Sequence, residues 1–281
     1  MAEPGQGTND GQEGSQQQEQ PREQPQGGQQ QPTGLQAVAN HMLANKVEAA
    51  LWSTRMFTVV STLLFLLPIL GGNPYSFYQR ALISNAATSA LRLHQRLPNF
   101  QFSREYFGQL FLEDSAHYLF YSLIFLNNHP ITLVLTPVFL FALMHATSYT
   151  KTLVNLIGPN SLMVIRNLIA KLELQQRNIL RFIASCEIFM MPILVITLLM
   201  GQSFILLPFV YYRFLTLRYA SRRNPYSRQI FYELRVTAEY LAAKPQCPAF
   251  LRNMTYKAIA FISRMAPQVA PSSSRHGYHQ S

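Results

Sequence analysis

The chain has 281 residues, 48% of them hydrophobic and only 13% charged, with 23 Lys and Arg against 13 Asp and Glu. Long apolar runs between polar, basic segments exclude an evenly patterned soluble core and describe a polytopic membrane protein. Two cysteines, Cys186 in an apolar stretch and Cys247 in a Pro-flanked turn, exclude a disulfide framework, and no Cys/His spacing suits a metal.

Residues 1–40 carry Glu3, Asp10, Glu13, Glu19 and Glu23 against one Arg22, in a background of Gln and Gly. Such a composition cannot bury enough apolar surface to offset the entropy of ordering it, so 1–34 reads as a disordered tail. Nothing near Met1 has the form of a signal peptide. The first apolar run, from Leu51, is expected to act as an uncleaved membrane signal.

Apolar runs follow at 51–71, 115–126, 131–147, 182–200 and 203–217, with a weaker one at 77–91 interrupted by Arg80. Three connectors are short and carry no Lys or Arg: Gly71-Gly72-Asn73-Pro74, Asn127-Asn128-His129-Pro130 and Gly201-Gln202-Ser203. These are turn-forming residues. The other connectors are basic, with Arg92, Arg96 and Arg104 in one and Lys151, Arg166, Lys171, Arg177 and Arg181 in the next. Positive charge marks the cytoplasmic side. The expected architecture is therefore an all-α polytopic membrane domain over 35–217. Its six limbs form three helical hairpins joined by basic cytoplasmic segments, with both termini cytoplasmic. Ala86, Ala87, Ser89 and Ala90 equip the weak limb for close helix packing.

The middle hairpin raises a question of depth. Its second limb, 131–147, measures about 25 Å as a helix and its first, from Ser115, about 18 Å, against a hydrocarbon core of ~30 Å. Limbs of this length thin the bilayer or stop short of the far leaflet, which would favour curvature.

From 213 to 281 there are eleven Lys and Arg against Glu233 and Glu239. Tyr211, Tyr212 and Tyr219 are expected to anchor at headgroup level, with Arg213, Arg218, Arg222 and Arg223 reaching phosphates. In 218–267 two amphipathic helices are expected. The first carries Phe231, Leu234, Ala238 and Leu241 at helical spacing. The second carries a stripe of Leu251, Met254, Ala258, Phe261, Ile262 and Met265, with Arg252, Lys257 and Arg264 mainly opposite. That second helix suits either a membrane surface or packing on its own protein. Residues 268–281 read as a second disordered tail. Nucleic acid, the other class such charge attracts, is not assigned as a partner.

Candidate chemistry is sparse. Glu113, Asp114 and His117 sit at the start of an apolar limb, where ionisable residues flag function, although acids there also complement a helix dipole. Glu187 reads as an interfacial carboxylate paired with a nearby Arg, and His145 as a hydrogen-bonding partner between helices. No phosphate-binding loop, nucleophile elbow or kinase signature is present, so neither catalytic residues nor cofactors are assigned.

The stretches "SFYQRALISNAATSALRLHQRLPNFQ" (76–101), "YYRFLTLRYASRRNPY" (211–226) and "FISRMAP" (261–267) closely resemble the transmembrane protein 33 family, and within it an insect member, over roughly 35–267. The resemblance implies a membrane protein of the endoplasmic reticulum and nuclear envelope that associates with reticulon-type proteins. Yeast relatives are implicated in nuclear pore assembly or distribution. They are thought to use a C-terminal amphipathic helix, here 249–266, for membrane contact and importin-type partners. Vertebrate relatives are linked to stress signalling. The expected function is non-enzymatic organisation of membrane together with these partners. The alternatives are a transporter or channel using the acidic and His residues, or a regulator acting by protein binding.

Overall fold

The computed structural model describes residues 34–67, 71–97, 99–158, 161–221 and 224–267. Arg222, Arg223 and the expected tail segments 1–33 and 268–281 lie outside the described residues. Within them are eleven helices and no strand.

Three hairpins organise the chain. The first pairs α2 (Lys46–Leu66) with α3 (Pro74–Arg96), after the short α1 (Leu35–Ala44). Gly71 takes φ +65°, a conformation that costs glycine little. Asn73 caps α3 by accepting from the Tyr75 N–H at 2.9 Å, with Pro74 at the first helical position. After α4 (Arg104–Leu110), the second hairpin joins α5 (Asp114–Phe125) to α6 (Thr132–Ile157). Its turn is held by Asn128, whose side-chain amide and backbone N–H donate to the carbonyls of Ile124 and Phe125. α7 (Met163–Leu174) leads to the third hairpin, α8 (Gln176–Leu199) and α9 (Leu206–Ala220). Gly201, at φ +70°, lets the N–H of Gln202 reach back to the Thr197 carbonyl and close the end of α8. The second and third turns, Asn127–His129 and Gly201–Ile205, share one cavity and so lie at the same end.

Six limbs of unequal length and hydropathy were expected; among the described residues three helices are long and apolar enough to span, α2, α6 and α8, one in each hairpin. Their partners differ from them in different ways. α3 is long, at 23 residues, but polar along one face. α5 and α9 have 12 and 15 residues, about 18 and 22 Å. The second limb of the middle hairpin is longer than its apolar run. Thr147, Thr150 and Lys151 end the run of hydropathy without ending the helix, because Thr147 and Thr150 return their hydroxyls to the i−4 carbonyls.

The core lies towards the turn end. Tyr78, Leu82, Tyr121, Phe125, Val138, Leu194, Tyr211 and Phe214 pack into one cluster drawn from α3, α5, α6, α8 and α9. Nearer the basic end, α2 meets α3 through small polar residues. Ser84 donates to the Thr54 carbonyl at 2.7 Å, Thr88 to the Thr54 hydroxyl at 2.8 Å, and Asn85 to Ser122 of α5 at 2.8 Å. Small side chains let helices approach closely, and their hydroxyls stay satisfied in an apolar medium. Of the four small residues expected to pack, Ser89 is buried, while Ala87 and Ala90 face outward. The contact face runs one step round the helix, through Ala81, Ser84, Asn85 and Thr88.

Two helices follow α9, which runs three residues past the expected boundary at 217. α10 (Tyr226–Ala243) docks on α8 and α9 through Ile230 and Phe231 against Ala184, Ile188 and Leu215. Arg181 adds a two-pronged bond to Glu233 at 2.9 Å. Leu234 and Leu241, expected on the apolar face, are exposed; Ser227, Ile230 and Ala242 are buried instead. α11 (Ala249–Met265) completes the chain.

Overpacking the α2–α3 contact is expected to be costly. Ser84→Leu should lower stability by about 1–3 kcal/mol, whereas Ala87→Leu on the exposed face of the same helix should change it little. Thermal unfolding of the two detergent-purified variants followed by size-exclusion fluorescence checks the contrast.

Candidate functional site

The chemistry concentrates at the basic ends of the second and third hairpins. Glu187 projects from the middle of α8, and Arg218 from the last turn of α9 points back at it. The Arg218 Nε lies 3.0 and 3.1 Å from the two Glu187 carboxylate oxygens, and both side chains are 1% exposed or less. Arg218 Nη1 reaches Asp114, the first residue of α5, at 3.1 Å, and Ser221 donates to the same oxygen at 3.0 Å. Tyr118 donates its hydroxyl to Glu187 at 2.5 Å, and Tyr211 donates to the Glu187 backbone carbonyl at 2.7 Å. The rings of Tyr118 and Phe141 stand 5.3 and 5.9 Å from the guanidinium carbon. A buried ion pair is stable only when most of its hydrogen-bonding capacity is met; here α5, α8 and α9 supply the partners, and only the Arg218 Nη2 has none among the described residues. The network clamps α5, α8 and α9, with α6 contributing the Phe141 face.

A second candidate lies at the C-terminus. α11 buries none of its residues in the rest of the chain. Phe250 and Phe261 are 71% and 63% exposed, and Leu251, Met254, Ile262 and Met265 join them on one arc of roughly 120°. Lys257 and Arg264 border that arc, while Arg252 sits opposite; all three are exposed. The helix is nevertheless tethered. It contacts α10 at one end, and the Tyr212 hydroxyl of α9 donates to the Met265 carbonyl at 2.9 Å at the other.

Comparison with known proteins places this arrangement. Residues 30–268 match the family described as Transmembrane protein 33/Nucleoporin POM33. The chain belongs to this family. Transmembrane protein 33 of Rattus norvegicus is 55% identical over 240 residues, covering 85% of this chain and 97% of the relative. Krueppel homolog 2 of Drosophila melanogaster is 45% identical over 235 residues, covering 84% of each chain. A Transmembrane protein 33 homolog of Dictyostelium discoideum is 29% identical over 224 residues, 76% of this chain and 72% of its own. No solved structure matches. The resemblance of the 76–101, 211–226 and 261–267 stretches thus holds across most of the chain, and the protein is an all-α membrane protein of the transmembrane protein 33 family.

Within that family fold, the residues singled out by sequence separate into two groups. Arg213 is exposed on α9, and Arg252, Lys257, Phe261 and Arg264 are exposed on α11. Arg218 is not the exposed surface cation expected: it is turned inward and paired with the buried Glu187 carboxylate. Tyr211 likewise belongs to the core and not to the interface. Glu187 does pair with an arginine, but with Arg218 and not with Arg181, which faces Glu233. Asp114 joins the network, whereas Glu113 binds Arg96 at 2.6 Å and His117 donates from Nε2 to the Phe111 carbonyl at 2.7 Å. His145 has no hydrogen bond among the described residues; it stacks on Phe141 and lines a cavity between the helices. The same cavity is lined by Arg92, expected in a basic connector, and by Arg55, which was not singled out although an arginine within the apolar run 51–71 is itself a functional signal.

Breaking the pair should cost more than removing it. Arg218→Met or Glu187→Leu alone is expected to destabilise by about 3–5 kcal/mol, because each strands a buried charge, while the double variant should recover most of the loss. A double-mutant cycle on thermal unfolding in detergent measures the difference.

Proposed function

We propose that this protein is a non-enzymatic organiser of endoplasmic reticulum and nuclear envelope membrane, working with reticulon-type partners and contributing to nuclear pore assembly. The observation that carries the reading is the exposed apolar arc of α11, bordered by Lys257 and Arg264 and held beside the membrane domain. Such a helix lies in the headgroup layer, with its apolar side chains among the acyl chains and its cations on phosphates. The short α5 and α9 support a shaping role. Both begin or end at the charged network and extend only about 18–22 Å from it, less than the ~30 Å core. Hairpins of that depth occupy more of one leaflet than the other. The positive-inside rule supports the reading in which the basic connectors, that leaflet and both termini face the cytoplasm. The family description, which includes Nucleoporin POM33, supports the nuclear pore setting; importin-type receptors and reticulon-type proteins are the partners the reading requires. The transport alternative is weakened because Asp114 and Glu187 are committed to Arg218.

The test uses the full chain in vesicles, in a background of Cys186→Ser and Cys247→Ser. An environment-sensitive dye on Met254→Cys should shift to the blue and be quenched by brominated lipid, while the same dye on Asn253→Cys should not; equal behaviour would place the helix off the bilayer. Phe261→Glu, which removes about 1.5–3 kcal/mol of apolar burial, should abolish the shift. Vesicles carrying the protein should be smaller than empty ones, and unchanged diameter would defeat the shaping role. A cysteine at Asn128 should react with an impermeant thiol reagent only after denaturation. Labelling from the lumenal side in intact protein would mean that the middle hairpin spans.

A further inference from the structure

We infer that the cavity between α2, α3, α5, α6 and α8 is a binding site for the phosphate of an anionic phospholipid. The cavity has a volume of about 290 Å³ and is open on one side. Arg55 of α2, Arg92 and Arg96 of α3, and Arg218 of α9 all line it, and Asp114 is the acidic residue among the lining groups. Two of these arginines already have carboxylate partners, Arg96 in Glu113 and Arg218 in Glu187 and Asp114. The other two do not. Among the described residues neither Arg55 nor Arg92 has a carboxylate in ion-pair contact. Arg55 is 5% exposed, its Nη2 lacks any hydrogen-bond partner, and the repulsion of Arg92 outweighs the attraction of Glu48, with which it forms no ion pair. The Nη2 of Arg218 is also buried without a partner. A guanidinium in a membrane domain is held by an anion or it is costly, and phosphate suits the guanidinium fork.

The rest of the lining favours a lipid over a free ion. Phe141, Met144 and Leu180 come from α6 and α8, two of the candidate spans, so one wall is apolar. Arginines and apolar wall together match a phosphodiester with the start of its acyl chains. The volume suits a headgroup, not a whole lipid. The site lies at the end of the helices where basic connectors gather, as in other basic pockets between membrane helices. It is separate from α11 and stands whether or not that helix meets the bilayer.

Full-length protein purified in detergent is mixed with phosphatidylcholine, phosphatidylserine or phosphatidylinositol, then followed by thermal unfolding and native mass spectrometry. The two anionic lipids should raise the unfolding temperature and remain bound, and phosphatidylcholine should not. Arg92→Gln, at a half-buried position that tolerates change, should weaken retention of anionic lipid at least about tenfold. Arg55→Gln should also lose the lipid-induced shift, yet unfold at a higher temperature than the parent without lipid, because an unpaired buried charge has gone. Arg235→Gln, on an exposed pair of α10, should keep the full response. The site is overturned if phosphatidylcholine matches the anionic lipids, or if Arg92→Gln retains the parent's affinity. Millimolar inorganic phosphate or a glycerophosphoinositol without acyl chains should give little of the shift; if either gives all of it, the lipid assignment is overturned in favour of a free phosphate.

Discussion

One buried guanidinium and one buried carboxylate hold the arrangement of this membrane domain. Arg218 and Glu187 belong to the two limbs of the third hairpin, and Asp114 extends their pair to the second. Moving either charge into hydrocarbon alone would be prohibitive, so the helices have few alternatives to the observed register. The tyrosines complete the set. Tyr118 and Tyr211 place their hydroxyls on Glu187 and their rings in the aromatic core, so polar satisfaction and packing fix the same rotamers.

The network also divides the molecule by depth. Towards the turns the helices meet through Phe125, Tyr211, Phe214 and aliphatic partners. Towards the connectors they meet through hydroxyls, amides and arginines. α5 and α9 stop at this level, whereas α2, α6 and α8 continue beyond it. The extensions give the later helices something to dock on. Arg166 at the start of α7 donates to the Val154 and Gly158 carbonyls at the end of α6, and α10 lies along α8.

Much of this was legible in the chain. Uncharged turns alternating with basic connectors located all three hairpins, since turn chemistry and charge asymmetry are local properties. The spacing of Leu251, Met254, Phe261, Ile262 and Met265 gave α11 its face. Pairing across the fold was not legible. Asp114 and Arg218 are 104 residues apart, and nothing near Arg218 tells it from Arg213, which does face outward. Hydropathy also misjudged length: it ends α6 near Thr147 because it counts side chains, while the backbone hydrogen bonds continue to Ile157. For α10 the helical period was legible, but of the expected face Phe231 packs on α8 and α9 while Leu234 and Leu241 stay exposed, as Glu233 turns towards Arg181.

The attachment of α11 at both ends bears on how strongly it needs to bind anything. A free amphipathic peptide must overcome its own dilution, but a helix bonded to Tyr212 and joined to α10 by a short turn is confined close to an integral protein. Confinement of this kind corresponds to an effective concentration of about millimolar. Its seventeen residues can then carry Asn253, Thr255 and Tyr256 in place of further leucines. On the proposed reading, a weak intrinsic affinity would suffice and would let the helix leave a surface and return without the protein leaving the membrane.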